Sequence, residues 1–172
     1  DPASQFPLER TYTEWKLSQF ASEGVDLGGR FGGDGAAVVS TCQDCHMPRT
    51  TARGAFDGPV RTDIARHEFA GAAAPILDLV AALYPNDPGV DLEAIAVGRA
   101  RAVSMLERAA SLALRVEGGA LVARVTNETG HKLPTGHIEG RRVWLRASFL
   151  DGVGRVLAEH GGYDDATATL DE

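Results

Sequence analysis

Residues 91–126 read DLEAIAVGRARAVSMLERAASLALRVEGGALVARVT, and the change of period inside them decides the fold class. Leu92, Ile95, Ala96, Arg99, Val103, Leu106 and Ala110 recur at helical spacing, and Asp91 is placed to cap the first turn. A helix is expected over Asp91 to Leu112. The pattern then alternates. Leu114-Arg-Val116, the pair Gly118-Gly119 and the run Leu121 to Thr126 predict a β-hairpin.

The helical signal extends upstream. Pro75 to Tyr84 is expected to be helical and ends at Pro85-Asn86-Asp87-Pro88. Leu8 to Phe20 has an imperfect apolar face, made by Leu8, Tyr12, Trp15, Leu17 and Phe20. Ser22 to Gly35 carries six glycines and is expected to be a surface loop. Arg49 to Arg66 is polar, with Gly54, Gly58 and Pro59, and is also expected to be loop-like. Downstream, Arg142 to Leu150, a turn at Asp151-Gly152 and Arg155 to His160 predict a second hairpin. The expected architecture is therefore α+β. A helical part over 1–112 precedes a small antiparallel, sandwich-like β part over 113–172.

The chain has 172 residues, 44% hydrophobic and 24% charged, with a formal charge of −7. These values suit a globular protein. Its scattered basic residues argue against a nucleic-acid partner. No apolar run approaches the roughly 20 residues of a membrane-crossing helix, so no transmembrane segment is expected. An acidic surface favours basic partners. The start at Asp1-Pro-Ala-Ser reads as a mature or excised end, and the last residues follow a strand directly. The chain is expected to be part of a longer protein.

The chemistry concentrates in Cys42-Gln-Asp-Cys45-His46, the only cysteines in the chain. A disulfide between them would close too small a loop to act as a staple. C-x-x-C-H is the signature of covalent c-type haem attachment. Two thiols add across the two vinyl groups, and the following imidazole ligates the iron. Zinc would want a second Cys or His pair, and a redox dithiol would want a βαβ setting.

A haem iron that only carries electrons needs a sixth ligand. His67 and His131 are the leading candidates, and the lean is towards His131, whose loop is bounded by Gly130, Pro134 and Gly136. His137 and His160 have weaker claims. Met47 follows His46 too closely to reach the opposite face, and Met105 has the setting of a core residue. Arg141 and Arg142 are candidates to bind a haem propionate, with exposed strand charges as the plainer alternative.

Four blocks resemble the multihaem c-type cytochromes of bacteria and archaea. They are Thr11-Tyr-Thr-Glu-Trp-Lys-Leu-Ser18, Thr41-Cys-Gln-Asp-Cys-His-Met-Pro48, Arg66-His-Glu-Phe-Ala-Gly71, and Asn127-Glu-Thr-Gly-His-Lys-Leu-Pro-Thr-Gly136 with Glu139-Gly-Arg-Arg-Val-Trp-Leu145. Such proteins normally carry several C-x-x-C-H motifs, and this chain has one. The resemblance implies electron transfer through haem c iron, export to the periplasm or the cell exterior, and redox proteins or neighbouring haem-bearing subunits as partners. The competing functions are a haem enzyme acting on a small nitrogen or sulfur compound, and a docking module of a respiratory complex.

Overall fold

A computed structural model describes residues 9–31, 36–136 and 141–171. The chain divides into two compact units, Arg10–Lys132 and Leu133–Glu172 with Asp1–Glu9. The helical unit thus runs on past Leu112, through the whole first hairpin.

Arg10–Lys132 opens with α1 (Thr11–Lys16) and α2 (Gln19–Glu23). The expected single helix breaks at Ser18, which is extended and bonds the Trp15 carbonyl at 2.6 Å through its hydroxyl. From within the expected glycine-rich loop, β1 (Val25–Asp26) pairs with β2 (Val38–Val39) just beyond it, and Val39 is fully buried. α3 (Cys42–His46) follows. Then come β3 (Arg49–Arg53) and β4 (Val60–Ala65), antiparallel across the segment expected to be a loop. The correction has a physical reason. Thr50, Thr51, Val60, Thr62 and Ile64 are β-branched and suit a pleated ribbon, while Gly54 and Gly58 lie in its turn.

α4 (Ala74–Leu83) has Pro75 in its first turn, and α5 spans Leu92–Arg108. Asp91 caps α5 through Ala94 N–H at 2.9 Å. The two helices form a helical hairpin, with Gly98 facing Leu77 and Arg99 paired to Asp78 at 2.5 Å. α5 ends at Arg108, short of the expected Leu112, because the alternating residues are drawn into β5 (Ala110–Glu117) against β6 (Ala120–Asn127). Gly118 and Gly119 turn that hairpin at φ 59° and 82°, the left-handed backbone a two-residue turn requires. Phe20, Phe31, Ala74, Ala102 and Ala109 are buried with Val39.

In Leu133–Glu172, β7 (Ala147–Leu150) pairs with β8 (Val156–His160), and β9 (Tyr163–Asp164) with β10 (Thr169–Leu170). The first strand of this hairpin is shorter than the expected Arg142 to Leu150. Gly161, at φ 72°, lies so close to the Leu145 carbonyl that no side chain fits there. Every sheet among the described residues has two strands. The chain is α+β, with ribbons in both units. No described helix is long and apolar enough to cross a membrane.

Candidate functional site

The short helix α3 is held by a capping box. The Thr41 hydroxyl accepts from Asp44 N–H, and the Asp44 carboxylate accepts from Thr41 N–H at 2.9 Å and Ser40 N–H at 3.1 Å. Both ends of the first turn are thereby satisfied. Cys42 is exposed, Cys45 is half-buried, and the two form no disulfide. Burial, with Asp44 and Cys42 adding to it against Arg108, pushes the Cys45 thiol up to about 11. An activated dithiol would be lowered instead.

His46 is fixed from two directions by the segment after β4. Its Nδ1 donates to the Ala70 carbonyl at 2.6 Å, and its own carbonyl accepts from Phe69 N–H at 3.0 Å. Phe69 takes φ 46° in this tight approach. With Nδ1–H committed, the lone pair of the neutral ring sits on Nε2.

His131 is fixed by its own loop. Asn127 accepts from Thr129 N–H at 2.9 Å and donates through Nδ2 to the His131 carbonyl at 2.6 Å. The Thr129 hydroxyl reaches that same carbonyl at 2.9 Å. The imidazole Nδ1 donates to the Lys132 carbonyl at 3.0 Å. In that tautomer the lone pair of the His131 ring also sits on Nε2.

The two imidazole rings lie near-parallel, with centroids 6.4 Å apart and planes inclined by 17°. Two imidazoles bound through Nε2 to opposite sides of one metal, at bonds of about 2 Å, put their centroids on the order of 6 Å apart. The spacing, the near-parallel planes and the two free lone pairs fit one iron between them. A cavity of about 510 Å³ opens beside Cys45 and His46, lined also by Arg66, Glu68, Arg101 and Met105. Its size is that of a cofactor cleft. Glu68 Oε1 is buried there without a hydrogen bond, within ion-pair distance of Arg66 (3.1 Å) and Arg101 (3.5 Å). The donor set fits a haem attached at Cys42 and Cys45; the cavity borders Cys45 and His46, while His131 lines a separate pocket with Glu14 and Thr129.

α1 joins the two histidine-bearing segments. Trp15 Nε1 donates to the Ser40 carbonyl at 2.8 Å, just ahead of α3. The same indole lies against Gly130. Glu14 accepts from Lys132 N–H at 3.1 Å. The sequence placed Glu14 and Trp15 within a resembling block without showing these bonds.

The remaining candidates are disposed differently. His67 is exposed and its ring lies on Phe69, with centroids 5.7 Å apart. Met105 is half-buried at the cavity beside His46. His160 meets Phe149 edge-on. His137 lies outside the described residues. Arg141 donates to the Thr135 carbonyl at 2.9 Å and Arg142 to the Ala168 carbonyl at 2.7 Å, both within Leu133–Glu172. The arginines that line the cavity, Arg66, Arg101 and Arg108, were not singled out in the sequence. Arg108 is engaged with the Arg30 and Ser104 carbonyls and lies over the Phe31 ring. Among the described residues no group of three or more Cys, His, Asp and Glu side chains gathers as zinc would need.

No family model, curated protein or solved structure matches the chain.

Proposed function

We propose that this chain carries electrons through a haem bound covalently at Cys42 and Cys45, with His46 and His131 as axial ligands. The near-parallel imidazoles, 6.4 Å apart, carry this reading. When bound, the haem iron supplies a one-electron couple. The chain's own residues do the rest. α3 presents both thiols and His46 from a single turn. The Ala70 and Lys132 carbonyls hold the two rings in the tautomer that ligates. If His46 and His131 both held the iron of a bound haem, no position would remain for a substrate, which favours an electron carrier over a haem enzyme. Two imidazoles also favour a lower potential than a His/Met pair.

The resemblance to multihaem cytochromes supports a place outside the cytoplasm and a role beside other haem-bearing proteins. The net charge of −7 favours a basic redox partner.

The decisive experiment is a holoprotein mass with a pyridine haemochrome assay and a ferric spectrum. One covalent haem per chain and low-spin iron are expected. A Cys42→Ala, Cys45→Ala double variant should lose haem on acid–acetone extraction. Retained haem in that variant, or high-spin iron with an exchangeable water in the native protein, would overturn the proposal.

A further inference from the structure

We infer that Glu14 is a positioning residue for His131, acting through the backbone of Lys132; the inference rests on the axial pair proposed above. The side chain of Glu14 is only 17% exposed. A carboxylate so withdrawn from water needs compensating donors. It finds one in Lys132 N–H at 3.1 Å, with Lys132 Nζ at 4.0 Å. The carbonyl of the same Lys132 accepts from His131 Nδ1 at 3.0 Å. Lys132 is thus gripped on both sides of its Cα. Glu14 fixes its amide, and its carbonyl fixes the imidazole.

The neighbouring residue reaches the other way. Trp15 Nε1 holds the Ser40 carbonyl, and Ser40 precedes the cap of the helix that carries His46. Adjacent residues of one helical turn therefore touch the two segments that carry the two rings. The span between those segments is set by α1 rather than by the loops. Moving the Glu14 acceptor should shift Lys132, turn the His131 ring and loosen its bond to iron, while leaving His46 alone.

The test uses the holoprotein and carbon monoxide as the probe of the ferrous iron. Supporting residues behind a metal ligand typically change affinity by 10–100-fold. In Glu14→Ala, carbon monoxide should displace His131 roughly 10-fold or more readily, and the ferric electron paramagnetic resonance signal should shift. Glu14→Gln keeps an oxygen that accepts from Lys132 N–H and should restore both readouts. Glu14→Asp keeps the charge but withdraws the acceptor, and it should behave like the alanine variant if that one does not fold.

A merely structural role would lower the melting temperature and leave both readouts unchanged. That result in Glu14→Ala or Glu14→Asp, alongside a His131→Ala variant that turns high-spin, overturns the inference and spares the axial pair. Equal changes in the Gln and Ala variants also overturn it, because charge rather than the hydrogen bond would then be responsible. A His67→Ala, His131→Ala double variant that stays low-spin overturns the axial pair itself.

Discussion

A methyl group on Gly130 would lie 3.1 Å from Cδ1 of Trp15 and 3.4 Å from Cγ of Phe20. The glycine lets the loop that carries His131 rest directly on the indole. Gly130→Ala forces the two apart by a few tenths of an ångström. We expect a loss of about 1–2 kcal/mol in thermal or denaturant unfolding. A weakened His131 ligation should accompany it in the ferric spectrum. Unchanged stability would show that the contact relaxes freely.

His67 and His131 separate cleanly by substitution. His67→Ala removes an exposed ring that lies on Phe69, so the low-spin signal should persist. His131→Ala should give high-spin iron. Optical and paramagnetic resonance spectra of the two variants decide the matter. The opposite pattern would hand the sixth position to His67.

The capping box of α3 makes an acid-sensitive element. Burial raises the Asp44 carboxyl, but the amides of Thr41 and Ser40, the Thr41 hydroxyl and Arg49 outweigh it and hold it below its ordinary 3.8. A group depressed in the folded state stabilises above its unfolded pKa, and that stability is lost as pH falls through the folded value. Asp44→Ala should cost about 1 kcal/mol at neutral pH. It should also flatten the unfolding curve below the ordinary carboxylate range, read by circular dichroism. An acid limb identical to the native one would contradict this.

Asp151 plays the same part in Leu133–Glu172. It accepts from the amides of Val153 and Arg155, each at 2.9 Å, and from the Arg155 guanidinium at 2.8 Å. The Arg155 backbone bond leads in holding its carboxyl low. Asp151→Ala should lower the hydrogen-exchange protection factors at Val153 and Arg155, and protonating Asp151 in the native chain should do the same once the intrinsic pH dependence of exchange is divided out. Protection in the β5–β6 hairpin, which pairs without a register break, serves as the control and should not change.

The parts of the fold legible in the sequence were the local ones. Gly118-Gly119 and the alternation on either side give the hairpin because the turn and the pattern agree within a few residues. The short helix Cys42–His46 rests on equally local signals, since Thr41 and Asp44 form its capping box within a few residues. The ribbon from Arg49 to Ala65 was hidden, because its glycines and charges mask the β-branched residues between them. α5 ends before its periodicity predicts, because Ala109 and Ala110 suit either a helix or a strand. The proximity of the His46 and His131 rings is not legible along the chain. It depends on Glu14, Trp15 and Gly130 meeting across the fold, and no spacing along the chain encodes that meeting.

The two proposed axial ligands lie far apart along the sequence, with His67 between them. That order has a kinetic consequence. In an unfolded holoprotein the iron stays tethered beside His46, and the shorter loop closes first. By loop entropy alone, His67 outcompetes His131 for the open position by about 1 kcal/mol. Refolding from denaturant should therefore pass through a misligated, low-spin species, and the native spectrum emerges only as the β5–β6 hairpin docks and the wrong imidazole leaves. Stopped-flow absorbance should resolve this as a slow phase in the native sequence that is missing from His67→Ala. On the proposed ligation, the exposed His67 would then set how quickly the native molecule is made.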